Sequence, residues 1–362
     1  MVSTKPTFYT RLLESFPPPS FLNVPTAGID ISDCSVKVLS LKQTKIGFVP
    51  FFFEERLLPA GVITSGSIDN PEALTETLAA IRKKFNISFI RASLPEEKAY
   101  LFETSVPQTK DREQMFTNIE FKLEENVPIP PKDAIFDYDK ISPQEGGVAK
   151  VSVTVFPKTT VDSYQAVFTN AGMTPLSFEL EGQAAADAVI QRGDQGTHMI
   201  VDFGRTRTGL AIVKNGIVGF TTTVDLGGSG LSEVIMKHFG VDELGAQKIK
   251  NEKQFADTAE DKEVYDAVRA VFSTLQSEIN RHFVFWNTRD PNMKEDGRIK
   301  KIILCGGNAM LSGLPEFLAR GIGVPVERAN VWANAFSFDA YVPPLEYERS
   351  LSYATAIGLA LP

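Results

Sequence analysis

The sequence is short of cysteine, of net positive charge and of long apolar runs, and each shortage closes off a class of function. Its two cysteines, Cys34 and Cys305, lie far apart in 362 residues. Neither sits in a metal-ligand spacing, so a disulfide scaffold and a zinc ribbon are excluded and a reducing compartment is expected. The formal net charge is -8 and the isoelectric point is near 5.2. Such a chain lacks the basic surface that nucleic-acid backbones require, which excludes nucleic acid as the expected partner. No stretch approaches the roughly 18 apolar residues of a membrane span. The start of the chain lacks the basic-then-apolar layout of a signal peptide, so the cytoplasm is the expected location.

What is present is an ordinary globular composition, 43% hydrophobic and 23% charged. The length implies two domains or one two-lobed unit. Phenylalanine stands out at 26 residues. Many belong in a core, and an exposed minority would mark a partner surface.

The stretch that organises the chain is Met199 to Gly216, with Asp202-Phe203-Gly204-Arg205-Thr206-Arg207-Thr208 at its centre. It reads as a buried strand, a tight polar turn, a second strand and an Asn215-Gly216 hairpin turn. The polar turn gathers backbone N–H groups, the Asp202 carboxylate and the hydroxyls of Thr206 and Thr208, a set that suits a phosphate and its metal ion. An ordinary hairpin with a charged tip has the same composition. Two further stretches favour the phosphate reading. Ala27-Gly28-Ile29-Asp30-Ile31-Ser32-Asp33-Cys34-Ser35, running on to Leu41, repeats the strand–Asp–turn–strand pattern. Ile302 to Met310 carries a strand into Gly306-Gly307-Asn308. One Asp-bearing turn in each half marks an internally duplicated nucleotide-binding fold.

Along the chain, residues 1–26 read as an irregular lead-in rich in proline. Strands are expected at Ala27–Ile31, Val36–Leu41 and around Lys45–Phe53. Asn70-Pro71 opens a helix, the Asn as cap and the Pro where no N–H donor is needed. Strands at Phe89–Leu94 and Tyr100–Val106 follow. Residues 111–158 read as an insertion: a short helix around Met115–Leu123, stopped by Pro128, then strands Ile135–Tyr138 and Val148–Phe156 about a Gln144–Gly147 turn. A helix at Thr160–Asn170, a strand at Leu176–Leu180 and an alanine-rich helix from Glu181 lead to the organising strand. Leu226-Gly227-Gly228-Ser229-Gly230 opens a helix, an anion site in principle and a close turn as often. Lys248 and Lys250 either touch a ligand or face solvent. The longest amphipathic helix spans Glu263–Phe285.

These residues, taken together, resemble the PilM family of type IV pilus assembly proteins within the actin-like ATPase superfamily. The resemblance covers Ala27 to Leu361. It rests on Gly28-x-Asp30-Ile31-Ser32 with Lys37 and Leu41, on Leu123-Glu124 with Pro128-Ile129-Pro130, and on Asp137-Tyr138. It continues through Glu181 with Ala184–Ala188, Asp202-x-Gly204 with Thr208, and Gly227-Gly228-Ser229-Gly230-Leu231 with Lys250. Leu304-x-Gly306-Gly307, Ser312-Gly313-Leu314, Pro325 with Ala329-Asn330, and Ala356-Ile357-Gly358-Leu359-Ala360 complete the ordered set. Ser32 stands where the family has glycine.

The resemblance implies an α/β, actin-like (ribonuclease H-like, duplicated) fold with two lobes around a nucleotide cleft. The first lobe would hold 27–110, completed by 159–198 and 345–362. Residues 111–158 would be a small inserted lobe and 199–344 the second lobe. ATP or ADP with Mg²⁺ is the implied cofactor, with Asp30 and Asp202 holding the metal mainly through water. The implied nucleotide contacts are Ser32, Asp33, Cys34, Ser35, Lys37, Gly204, Arg205, Thr206, Thr208, Gly227, Gly228, Lys250, Gly306, Gly307 and Asn308 beside the two aspartates. Glu181 occupies the position that orients an attacking water. Ser32 brings a side chain to a turn where glycine allows close approach and unusual dihedrals, which leaves strain as one reading; its hydroxyl could instead reach phosphate, as could Arg205 and Arg207. Binding with slow or absent hydrolysis is therefore expected.

The implied role is a nucleotide-dependent scaffold at the inner membrane. It would bind the N-terminal tail of a PilN-like membrane protein between the first lobe and the insertion, and a pilus motor ATPase or platform protein is a further implied partner. An FtsA-like cell-division adaptor is the alternative, disfavoured by the want of an amphipathic helix beyond Pro362. A small-molecule kinase is less favoured, because no separate catalytic base emerges.

Overall fold

The computed structural model describes residues 26–109, 111–141, 147–253 and 262–362. The expected lead-in up to residue 25 and most of the Gln144–Gly147 turn lie outside them. The chain opens with an antiparallel meander of β1 (Thr26–Ile31), β2 (Ser35–Thr44) and β3 (Gly47–Leu57). Helix α1 (Pro71–Phe85) follows. The Asn70 side chain accepts from the Ala73 amide, and Leu74, Leu78 and Ile81 are buried on one face. Strand β4 (Phe89–Leu94) returns parallel to β1.

The chain then leaves this sheet. Strand β5 (Tyr100–Pro107), helix α2 (Arg112–Asn126), β6 (Ala134–Lys140) and β7 (Val148–Pro157) form a three-stranded antiparallel unit in the order β5-β7-β6. Its core is its own: Met115, Ile119 and Leu123 of α2 pack on Val106, Val151, Val153 and Val155. The strand expected at Tyr100–Val106, in the stretch assigned to the first lobe, pairs with β7 from Tyr100–Val155 to Pro107–Val148. Strand propensity and apolar content identify a strand without naming its partner. Helix α2 also begins earlier than expected, because the Asp111 side chain accepts from the Glu113 amide and caps it.

Helix α3 (Lys158–Asn170) and strand β8 (Thr174–Leu180) bring the chain back, β8 lying parallel to β4. Helix α4 (Glu181–Val189) crosses to the second sheet. There β9 (Thr197–Phe203), β10 (Thr208–Lys214) and β11 (Ile217–Val224) repeat the meander. Asn215 and Gly216 have φ of 54° and 79°, the left-handed pair that a two-residue hairpin demands. Helices α5 (Gly228–Phe239), α6 (Glu243–Glu252) and α7 (Lys262–Thr288) precede β12 (Ile299–Cys305). Helix α8 (Leu314–Ile322), β13 (Val326–Arg328) and α9 (Ala354–Ala360) finish the chain.

The two large sheets read β3-β2-β1-β4-β8 and β11-β10-β9-β12-β13. Each is a meander whose first strand pairs on its other side with a parallel strand, and the order is the same in both. The duplication expected from the paired Asp turns is therefore present in the topology. Strands β1 and β9 are central and almost wholly buried, which is why both read as near-continuous apolar runs.

Helices α4 and α9 sit in close contact at the junction. A Cβ on Gly358 would fall 1.7 Å from the Ala184 carbonyl oxygen, and one on Gly28 would fall 2.2 Å from that of Ala356. Alanine in place of glycine ordinarily strengthens a helix by about 1 kcal/mol. Gly358→Ala is expected to do the opposite, lowering stability by about 1–3 kcal/mol or more through overpacking. Denaturant unfolding measures it, and an unchanged or raised midpoint would contradict the packing.

Candidate functional site

A cleft of about 450 Å³ lies between the two large sheets, lined among others by Asp30, Lys37, Glu96, Glu181, Asp202 and Lys250. Asp30 is near the carboxyl end of β1 and Asp202 near that of β9. Glu181 follows β8, Glu96 follows β4 and Gly306 follows β12. Three parallel strands of the first sheet and two of the second thus each deliver a residue to the same opening, at carboxyl ends of the kind where open α/β sheets hold ligands.

In the first turn, Asp30 is 8% exposed. Its Oδ1 accepts from the Ser93 hydroxyl at 3.1 Å, and its Oδ2 lies 3.7 Å from Lys37 Nζ. Lys37 faces Asp30 across the β1–β2 ladder. The Ser32 hydroxyl donates to the Ser35 carbonyl and accepts from the Ser35 amide, both at 3.1 Å, while the Ser32 amide donates to the Ser35 carbonyl at 2.9 Å. Ser32 is thus a cleft residue whose hydroxyl closes its own turn. It is not among the residues with positive φ, so replacing the family glycine brings no left-handed strain. Cys34 and Ser35 also line the cleft.

In the second turn, the Gly204 amide donates to the Asp202 and Arg207 carbonyls. Asn308 Nδ2 donates to the Gly204 carbonyl at 2.8 Å, and the Ser229 amide donates to that of Arg205 at 2.7 Å. The amide of Gly204, expected at phosphate, therefore closes its own turn, while its carbonyl, which accepts from the Gly228 amide at 3.0 Å, ties the turn to the start of α5. Gly204, Arg205, Thr206, Gly228, Gly306, Gly307 and Asn308 line the cleft. Gly306 has φ of 90°, and a Cβ there would fall 2.3 Å from Asp202 Oδ1, so only glycine lets the strand end pass the carboxylate. Lys250, buried, donates to the Gly228 carbonyl at 3.2 Å and the Ser232 hydroxyl at 3.3 Å. Burial lowers its pKa, Glu243 opposing and Arg205 adding to the effect. Lys248 instead lies on an exposed helix face, 4.0 Å from Glu252.

Three residues expected at the nucleotide are placed otherwise. The carboxylate of Asp33 accepts from the Ser65 and Gly66 amides and pairs with Arg207, which uses its oxygens within the protein. Thr208 is fully buried and donates to the Leu226 carbonyl at 2.6 Å. Gly227 supports the turn from behind: a Cβ on it would fall 2.4 Å from the Thr206 carbonyl carbon. None of the three lines the cleft.

Glu96 and Glu97 also line the cleft, although no sequence motif marks them. Their signal was positional: they follow Pro95 at the carboxyl end of β4, as Asp30 sits at that of β1. Glu96 is 6% exposed. The Gly182 amide and the Thr221 side chain hydrogen-bond it, and a Cβ on Gly182 would fall 2.5 Å from its Oε1.

The charge balance is lopsided. Burial, then the charge of Asp30, pushes the Asp202 carboxyl up to about 6, with Lys37 opposing. Burial pushes Glu96 up to about 7, Asp202 adding to the effect against the two hydrogen bonds. Glu181 is raised well above the usual range by burial and then by Asp30, Glu96 and Asp202. Burial, then Asp202 and Glu96, pushes the Cys305 thiol up. Among the described residues no three His, Cys, Asp or Glu side chains converge as a metal-ligand set. The carboxylates are near enough to feel one another and too spread to cage an ion without water.

A family model described as "Type IV pilus assembly protein PilM" matches residues 28–362. The chain belongs to the PilM family. Among solved structures it is similar to the PilM–PilN type IV pilus biogenesis complex, at 21% identity and a TM-score of 0.74, covering 93% of this chain and 98% of the other. It is also similar to the ethanolamine utilization protein EutJ from Carboxydothermus hydrogenoformans, at 17% identity and TM-score 0.56, covering 94% and 90%. MreB5 of Spiroplasma citri bound to ADP matches at 13% identity and TM-score 0.53, covering 86% and 93%. The fold is that of the actin-like ATPases, as the PilM resemblance implied. No helix among the described residues is long and apolar enough to cross a membrane.

The raised carboxyls set a pH dependence. In the folded chain Glu96 and Asp202 hold protons that the unfolded chain releases near their ordinary values of 4.5 and 3.8. Their contribution to stability is fully present below those values and is lost as pH rises through about 6 for Asp202 and about 7 for Glu96. Glu96→Gln keeps an acceptor for Gly182 and removes the charge. It is expected to stabilise the metal-free protein by on the order of 1–3 kcal/mol at pH 8 and by much less at pH 5. Thermal melts at both values test this; an equal shift at the two would contradict it.

Proposed function

We propose that this chain binds ATP or ADP with Mg²⁺ in the cleft and acts as a cytoplasmic scaffold of type IV pilus assembly, docking the N-terminal tail of a PilN-like membrane protein. The observation that carries the nucleotide reading is the meeting of Asp30, Glu96, Glu181 and Asp202 at the strand ends with Lys37 as the cation opposing Asp202 and Glu181. Mg²⁺ takes oxygen ligands and keeps several waters. Asp30 and Asp202 would hold it through that water shell, and the ion would offset their charge and that of the phosphates. Cys34, Ser35 and the Arg205–Thr206 stretch border the phosphate side. Gly306 and Gly307 leave room for the nucleoside, and Lys250 places a buried ammonium against neutral acceptors, where an anionic or hydroxyl-rich ligand completes it. Glu181 is the group placed to orient a water, and slow turnover is the reading we favour. The ADP in the MreB5 neighbour supports a nucleotide here.

The docking reading is supported by membership of the PilM family and by likeness to a PilM–PilN complex. The small sheet and α2 have their own core and present Phe121 at 75%, Val148 at 47% and Ile135 at 39% exposure. Such apolar groups can take alternate side chains of an extended tail, whose amides also need partners. We divide the chain accordingly into two lobes and a small docking lobe, and place the scaffold at the inner membrane through its partner.

Asp202→Ala and Asp30→Ala are expected to weaken Mg²⁺–ATP binding at least about tenfold, since each removes a charge that holds the metal. Calorimetry measures it; unchanged metal-dependent affinity in both would reject the site. Replacing residues 100–157 by a short linker is expected to abolish binding of a PilN tail peptide while nucleotide affinity stays within about threefold. Equal tail affinity in the folded deletion protein would reject the docking lobe.

A further inference from the structure

Arg207 ends the second turn, lines the cleft and carries a positive charge, so it invites assignment as a phosphate ligand. Its surroundings argue for a different role. Its Nη2 is 2.7 Å from Asp33 Oδ1, and its Nη1 pairs with Glu97. Asp33 belongs to the first turn and Glu97 to the short turn after β4, whereas Arg207 belongs to the second sheet. The guanidinium is thus divided between two carboxylates of the opposite half. The three side chains are only 16–20% exposed.

Both ends of this contact are anchored. Asp33 accepts from the Ser65 and Gly66 amides at 3.1 and 3.3 Å, which fixes its carboxylate. The Arg207 carbonyl accepts from the Gly204 amide at 3.0 Å, and Gly227 lies against the Arg207 backbone so closely that a Cβ would fall 2.6 Å from its nitrogen. The neighbour of Glu97 crosses in the same way. Glu96 fits between Gly182 and Gly209, where a Cβ would fall 2.5 Å and 3.4 Å from its two oxygens. The turn of Glu96 and Glu97 therefore grips the second sheet with both residues.

We propose that Arg207 is a positioning residue: with Asp33 and Glu97 it forms an ionic clasp that holds the two phosphate-side turns at their working separation. A planar guanidinium suits this, because it can satisfy two carboxylates at once. A phosphate reaching for Arg207 would meet a charge already matched by two acids. The clasp acts on the nucleotide only through the spacing of the turns, and this part rests on the nucleotide reading above.

The test uses the full chain carrying Glu97→Gln, Arg207→Gln or both, with folding checked by thermal melting. Amide hydrogen exchange without nucleotide is read at residues 96–99 and 204–209. Mg²⁺–ATP affinity is read by calorimetry. Each single variant is expected to speed exchange about tenfold at both segments and to weaken Mg²⁺–ATP by a similar factor of about 3–10. The double variant should be no worse than either single, as for partners in one interaction. Arg207→Lys, able to keep one carboxylate, should fall between. If Arg207 is instead a phosphate ligand, Glu97→Gln leaves affinity unchanged or tightens it while Arg207→Gln weakens it, and the clasp is rejected. Unchanged exchange in both single variants rejects it as well. Should the unsubstituted protein bind no Mg²⁺–ATP, the nucleotide reading falls, and the exchange result still decides the clasp.

Discussion

Four acidic side chains brought to one cleft and opposed chiefly by Lys37 are the constraint around which the rest of this molecule is arranged. Isolated, such a cluster is unfavourable, since each charge is partly desolvated and repels the next. Burial and mutual repulsion raise Asp202, Glu96 and Glu181 together. Two of its members, Asp30 and Glu96, are held by side-chain and backbone donors from elements that the core fixes. Ser93 donates to Asp30, the Gly182 amide serves Glu96, and the β1–β2 register sets Lys37 opposite Asp30. Under the proposed function, a divalent cation carrying its own water would offset this charge and leave room for an anion beyond it.

Close backbone approach is the second condition. Gly306 passes Asp202, Gly227 passes the second turn, and Gly358 lets α9 lie against α4. In each case a side chain would collide with backbone or with a cleft carboxylate. These glycines place the two sheets and the intervening helix near enough for strand ends of both halves to face one cleft. Asn308 extends the same logic, its side-chain amide replacing solvent at the Gly204 carbonyl.

The small β5-β7-β6 unit is fastened to the second sheet as well as being threaded from the first. The Ser152 hydroxyl donates to the Val218 carbonyl at 3.1 Å, and Glu103, paired within the unit with Lys150 at 2.7 Å, reaches Arg289 just beyond α7 at 3.3 Å. Glu103 lies on β5, a few residues beyond the turn of Glu96 and Glu97. A short connection therefore runs from the cleft residues Glu96 and Glu97 into the small unit.

What the sequence determined by itself is local. Apolar strands broken by Asp-bearing turns, the Asn70-Pro71 helix start, the Asn215-Gly216 hairpin and the glycines after β12 are properties of neighbouring residues, and periodicity and turn chemistry suffice to read them. The repeated turn also announced the duplication, and with it Asp30 and Asp202 as a pair. Tertiary structure decided everything that depends on which distant group arrives. Tyr100–Pro107 reads as a strand in either sheet, and only the ladder with β7 assigns it. Asp33, Thr208 and Arg207 have the right chemistry and position for a ligand, yet each is engaged by a protein partner remote or hidden in sequence: Ser65 and Gly66, Leu226, and Asp33 with Glu97. Glu96 carried no motif, because its importance comes from burial between Gly182 and Gly209, and burial between two halves of a chain is a property that no single stretch possesses.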